Sequence, residues 1–281
     1  MTSSAPLPLA GHFLASDMDG TLIFDGKVSE RDLAAIAAYR RAGGTFALST
    51  GRSLNLTRDV VVEYGMEIDY AVMCSGAVVS DGAFEPFYVK EIPTAVVDDI
   101  VDFVSGWPDI AVCATFLDTR DAVLLRQVEL DHRTELFELF GPVGSAGKVA
   151  DHVVTVVPIW LPESDLRPRP AGYDIATAQR LLEEHLGDEV DIHRNAEFLD
   201  IAPSGCTKAT GLARAVAEWG RTPSATHTLG DNFNDLPMHE WATHSVSFPH
   251  SPAPVRQATE VVAGSVAEYI EGLLASVGAE S

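Results

Sequence analysis

Phe13-Leu14-Ala15-Ser16-Asp17-Met18-Asp19-Gly20-Thr21-Leu22 is the stretch on which the fold turns. Three apolar residues run into Ser16-Asp17, the mark of a short buried strand. Two carboxylates follow one residue apart, and Gly20 lets the backbone turn sharply beside them. In open α/β sheets ligands bind outside the carboxyl ends of the strands, which is where Asp17 and Asp19 would then lie. Taken alone, Asp-x-Asp-Gly also suits a solvated acidic turn.

Working outward, the signals alternate. Ser29 is a candidate N-cap with Asp32 at N3, opening a helix that carries Leu33, Ile36, Ala37 and Tyr39 until Gly43-Gly44 stops it. A strand at 45–49, a helix at 54–64 and a strand at 70–74 come next. Strand–helix–strand of this kind predicts an α/β fold, a Rossmann-like doubly wound parallel sheet. From Asp81-Gly82 the pattern changes to mixed strands (84–89, 110–116, 123–126, 153–160) and helices (94–104, 173–186), with a proline-rich loop at 158–170. The α/β alternation resumes with a helix at 207–219, a strand at 226–229 and helices at 235–241 and 266–275. The expected organisation is a core of residues 1–81 and 197–281 interrupted by an α+β cap of residues 82–196.

Composition excludes several roles. The formal charge of −22 repels phosphate backbones and anionic membranes, so neither a nucleic acid nor a membrane is expected as a partner. No apolar run approaches the ~20 residues of a membrane helix, and the first residues lack the basic and apolar regions of a signal peptide. Three scattered cysteines without Cys-x-x-Cys spacing fit neither a disulfide framework nor a zinc site. The default expectation is a cytoplasmic protein.

Three further clusters fall near strand or helix ends. In Ser49-Thr50-Gly51-Arg52 a hydroxyl and backbone N–H groups at a helix start could cradle phosphate, although an ordinary N-cap would read the same way. Lys208 stands at the positive end of a helix, a poor place for a cation unless anions are close. Gly230-Asp231-Asn232-Phe233-Asn234-Asp235 adds two aspartates and two asparagines, the hard oxygen donors that Mg²⁺ selects.

Together, Asp17-Met18-Asp19-Gly20-Thr21, Thr50-Gly51-Arg52, Lys208 and Gly230–Asp235 resemble the four motifs of the haloacid dehalogenase superfamily, and their order and spacing are similar to its Cof-type phosphatases. The resemblance runs from about Phe13 to Leu274. It implies Asp17 as the nucleophile that takes a phosphoryl group, and Asp19 as the acid and base for the leaving oxygen and the water. It implies Mg²⁺ held by Asp17, the backbone carbonyl of Asp19, and Asp231. Thr50, Gly51, Lys208 and Asn234 would bind phosphoryl oxygens, with Asp235 holding metal-bound water or orienting Lys208, and Arg52 bracing the Thr50–Arg52 loop. The cap would cover the site and choose the substrate, a small phosphorylated metabolite such as a sugar phosphate. Arg126, Arg133, Arg167, Arg169 and Arg194 are candidate contacts. Ser75-Gly76-Ala77 departs from the Asn-Gly-Ala usual in the subfamily. A sugar-phosphate mutase, or a non-catalytic sensor on the same fold, is the alternative.

Overall fold

The structure is a computed structural model that describes residues 7–128, 140–142, 144, 147–162 and 174–279. Its strands, in chain order, are β1 (His12–Ser16), the small hairpin β2 (Ile23–Phe24) and β3 (Lys27–Val28), β4 (Thr45–Ser49), β5 (Tyr70–Met73), β6 (Val78–Asp81) and β7 (Pro86–Val89). There follow β8 (Ala111–Phe116), β9 (Ala122–Arg126), β10 (Val154–Trp160), β11 (Val190–Asn195) and β12 (Phe198–Pro203). The last three are β13 (Ala225–Leu229), β14 (His244–Ser247) and β15 (Val261–Val262).

Eight strands form one sheet in the order β15-β14-β13-β1-β4-β5-β6-β7. The pairings from β15 to β5 are parallel, and β6 and β7 add an antiparallel margin. Strand alternation decides which side chains go to which face. Leu14, Phe46 and Leu48 join the apolar layer that includes Ile36, Tyr39 and Ile270 of helices Glu30–Arg41 and Val266–Ala279. Phe13, Ala15 and Ala47 face the opposite way, towards Leu212 and Ala215 of helix Lys208–Trp219. With both faces covered, β1 has no polar side, which is why its sequence reads as an unbroken apolar run.

The second sheet is antiparallel, in the order β11-β12-β10-β8-β9. One face buries Val112, Phe116, Val157, Ile159, Leu199 and Ile201 against helices Thr94–Val104 and Ile175–Leu186. Sheet membership corrects the expected edges of the insertion. The strand read at 84–89 extends the large sheet through Val78↔Val89, so it is not part of the insertion. At the other end β12 pairs with β10 and β11, placing Phe198–Pro203 in the second sheet. Pairing partners far along the chain decide both cases, and composition does not reveal them. The two crossings run side by side, since Lys90 Nζ donates to Ser204 O over 2.5 Å. Pro158 also differs from expectation: it lies inside β10 opposite Asp200, not in a loop, and residues 163–170 fall outside the described set. Cys74, Cys113 and Cys206 are buried free thiols. Among the described residues no helix is long and apolar enough to cross a membrane.

On three neighbouring parallel strands, the rings of His12, His227 and His244 stack at centroid distances of 5.2 and 4.9 Å, His227 from the middle of its strand and the other two from strand starts. His227 exchanges a hydrogen bond with His12 (3.0 Å) and another with the Tyr269 hydroxyl (2.8 Å), while His244 meets Glu260 at 3.0 Å. Burial, then repulsion from His12 and His244, lowers His227 to about 3. A histidine that binds its proton only in the unfolded chain stabilises the fold above its ordinary value, and that stability is lost as pH falls from about 6.5 towards 3. Thermal melts from pH 7.5 to 5 should therefore show the wild type losing about 2 kcal/mol more than His227→Gln. Parallel losses in both would remove His227 as the acid-sensitive group.

Candidate active site

Asp17 is the first residue past β1, and Asp231 is the second past β13. The two strands pair in parallel, Ser16↔Leu229, and Asp17 N donates to Leu229 O at 2.8 Å, so the two loops leave the sheet side by side. The Asp17 loop closes on itself through Leu22 N and Ile23 N, both donating to Met18 O. Gly20 has φ +79, and a Cβ there would stand 2.5 Å from Asp231 Oδ2; glycine is what lets the loops touch. Thr21 Oγ1 donates to Asp231 Oδ1 at 3.1 Å.

Lys208 is the first residue of its helix, whose N-cap Thr207 accepts from Thr210 N through its hydroxyl and donates its own N–H to Thr210 Oγ1. The side chain is 1% exposed, and its ammonium donates to Asp17 Oδ1 at 2.5 Å and to Asp235 Oδ1 at 2.6 Å. These are the anions that the unfavourable helix position called for. Burial pulls the ammonium's pKa down, but the two carboxylates more than offset this and the net shift is upward, so Lys208 stays charged. Asp235 is fully buried and also accepts from Asn232 N at 2.9 Å, within a short turn, Phe233–Asp235.

Asp17, Asp231 and Asp235 bring carboxylate oxygens within 4.8 Å of one another. Burial raises Asp17 well above the usual carboxylate range, against the pull of Lys208, and Asp235 and Asp231 add to the rise. Asp231 is pushed up to about 6 by burial and by Asp235. With all three ionised, the carboxylates would exceed the one ammonium by two negative charges, a state that burial disfavours and a divalent cation would complement, and the donors are all hard oxygens. The residues present thus fit Mg²⁺ by charge and by donor chemistry. The Asn234 side-chain oxygen is buried without a hydrogen-bond partner.

Asp19 behaves differently. Its side chain is 51% exposed and turned from the other three, bound fork-to-fork by Arg52 at 2.6 and 2.7 Å. Arg52 thus ties its own loop to the one that carries Asp19. Thr50 is buried in a three-residue link between β4 and the N-cap Ser53, and its amide donates to Val72 O at 2.8 Å. The helix read at 54–64 is found at Leu54–Tyr64 with Ser53 as its N-cap, so Thr50, Gly51 and Arg52 form the link just before it.

Above Asp17 lies a cavity of about 270 Å³. The large sheet and its loops give it Asp19, Thr50, Gly51, Arg52 and Leu56; the second sheet gives Thr115, Pro158, Asn195, Phe198 and Asp200. A larger hollow of about 740 Å³ beside Asn55 and Asp118 contains none of the carboxylate cluster, so volume does not mark the site. Of the candidate arginines, Arg194 places its guanidinium over the Phe233 ring at 5.4 Å, and Arg126 ends β9. Arg133, Arg167 and Arg169 lie outside the described residues. Asp200 and Asn195 carry no motif and are not legible as site residues from the chain, though a lone carboxylate inside the apolar run Leu199-Asp200-Ile201 is a usable signal.

The profile of the haloacid dehalogenase-like hydrolases matches residues 14–141 and 171–274. The chain belongs to that family. Its likeness to the Cof-type members holds, and the enzyme class is phosphatase. The 5-amino-6-(5-phospho-D-ribitylamino)uracil phosphatase of Bacillus subtilis is 25% identical over 88% of this chain and 89% of its own. The HMP-PP phosphatase of Klebsiella pneumoniae is 24% identical over 80% and 79%. In fold, a haloacid dehalogenase-like hydrolase from B. subtilis superimposes with a TM-score of 0.77 at 15% identity, covering 93% of this chain and 99% of its own. A subclass IIB sugar phosphatase of the superfamily does so with a TM-score of 0.72 at 20% identity, covering 94% and 98%.

Gly20 offers a direct check of the loop contact. Gly20→Ala should cost about 1–2 kcal/mol and lower phosphate release at least tenfold, because the new methyl displaces Asp231. Gly26 has φ +71, and a methyl there would meet nothing within 4 Å, so Gly26→Ala should cost similar stability and leave turnover intact. Equal turnover in the two variants, measured beside their thermal melts, would show that the approach of Gly20 to Asp231 is unimportant.

Proposed function

We propose that this phosphatase hydrolyses small phosphorylated metabolites, sugar phosphates among them, through a phosphoryl group carried briefly on Asp17. The observation that carries the reading is the meeting of Asp17, Asp231 and Asp235 with the buried ammonium of Lys208, directly below a cavity of about 270 Å³. A cavity of that size suits a small leaving group. The two curated relatives, whose names specify small phosphorylated compounds, support the substrate class.

In this mechanism a carboxylate oxygen of Asp17 attacks phosphorus in line with the leaving oxygen. Lys208 fixes the other face of that carboxylate and lends positive charge to the phosphoryl oxygens. Thr50, Gly51 and Asn234 supply donors around the same group; the amide nitrogen of Asn234 would turn towards it. Asp19 protonates the departing alcohol, then takes a proton from the water that frees Asp17. Arg52, paired with the Asp19 carboxylate at the cavity mouth, must release it, and Asp19 must take a proton from solvent before the alcohol departs. Asp17, Asp231 and the Asp19 carbonyl would hold Mg²⁺, which supplies charge neutralisation on the transferred phosphoryl group. Asp235 keeps Lys208 in place from behind. The cytoplasm is the compartment proposed for this activity.

Two experiments test the reading. A panel of phosphorylated metabolites assayed for released phosphate should reveal turnover, and Asp17→Asn should lower it by at least 10³-fold while the protein still folds, since an amide is no nucleophile here. Wild-type rates in Asp17→Asn would remove the covalent step. Excess chelator should abolish phosphate release and added Mg²⁺ restore it, with Asp231→Ala needing more than tenfold higher Mg²⁺. Full activity in chelator would overturn the metal assignment.

A further inference from the structure

Asp200 is the buried carboxyl that the mechanism leaves without a task. On β12 its neighbours Leu199 and Ile201 pack into the apolar layer of the second sheet, so Asp200 projects from the opposite face. That face is the roof of the cavity, which Asp200 shares with Thr115 of β8 and Pro158 of β10. Its position within the roof is fixed by Gly51: a Cβ on that residue would lie 3.0 Å from Asp200 Oδ2, with Asn195 Nδ2 and Ser75 Oγ each at 3.6 Å. Asp200 therefore stands against the Thr50–Gly51 loop, in the cavity that Asp17 also lines. Leu56, Phe140 and Phe198 give the cavity an apolar wall, and Arg52, Ser53 and Asn195 line it as well.

A carboxyl so placed needs partners. Burial raises it to about 7, opposed by a hydrogen bond from the Asn195 side chain and by the field of Lys208, while Asp19 pushes the same way as burial. A carboxylate has about four lone-pair sites, and one amide does not fill them. A donor on the bound alcohol would meet that demand, whereas a purely alkyl group would leave the oxygens facing hydrocarbon. In its ionised form Asp200 would also repel a second anionic group placed beside it.

Resting on the phosphatase reading above, we propose that Asp200 selects the leaving group by accepting a hydrogen bond from its O–H or N–H, favouring hydroxylated or aminated monophosphates over alkyl monophosphates and bisphosphates. The test uses ribitol 5-phosphate and n-pentyl phosphate, which share a five-carbon skeleton, together with 5-aminopentyl phosphate and ribulose 1,5-bisphosphate. Wild-type kcat/KM should be higher for ribitol 5-phosphate or 5-aminopentyl phosphate than for n-pentyl phosphate, and the preferred one names the donor. Asp200→Ala should shrink that preference by about 10–100-fold, chiefly through KM, as expected for one hydrogen bond to a charged group. Asp200→Asn, which keeps an acceptor and drops the charge, should lose less of the preference and gain against the bisphosphate.

Equal wild-type rates on the matched pair would overturn the assignment even if neither variant folds. So would a uniform loss across all four esters in the variants, the signature of a structural role. Absence of phosphate release from every ester by the wild type is a different failure: it sinks the phosphatase reading and this proposal with it.

Discussion

A buried ammonium group keeps its charge where anions wait for it, and a buried carboxylate keeps its charge most readily beside a cation. Lys208, Asp17 and Asp235 satisfy each other in this way, at 2.5 and 2.6 Å. Each comes from a different part of the chain: the end of β1, the start of helix Lys208–Trp219, and the turn after β13. The parallel register of β1 with β13 and the Thr207 cap are therefore fixed together, because a slip in either would leave a charge stranded. Removing one partner of such a group costs several times what the pair contributes, so the arrangement specifies the site more than it stabilises the fold.

The second sheet follows the same economy by a different route. Alternation along β8, β10 and β12 sends the apolar half of each strand into its own core and leaves Thr115, Pro158 and Asp200 over the cavity. One sheet thus does two jobs, holding itself together with one face and roofing the cavity with the other. The carboxylate cluster stays on the large sheet, where packing on both faces keeps its loops fixed.

Much of this is legible in the chain. Asp17, Lys208, Asp231 and Asp235 are marked by short motifs beside apolar runs, and β1, β4, β5 and β13 by the runs themselves. What escapes depends on contacts between distant residues. That Asp19 turns outward is the work of Arg52, thirty-three positions away, and no local pattern encodes the pairing. Placing β7 in the large sheet and β12 in the second requires knowing their partners. Pro158 reads as a loop residue by composition but serves as strand because both neighbouring strands enclose it. Asp200 is hidden for a plainer reason: a single charged residue within a strand carries no motif.

The pairing of β1 with β13 joins His12 to Ala225, across almost the whole described chain. The central strand of the large sheet thus waits, during synthesis, for its last neighbour to appear. Until then β1 exposes one unpaired edge, while everything needed for the second sheet has already been made. Contacts so remote in sequence form slowly and leave partly built states open to association with other chains. The order of appearance makes the smaller sheet the natural first unit to consolidate. Its completed fold would then bring residues 90 and 204 together, shortening the search by which the two halves of the large sheet find each other.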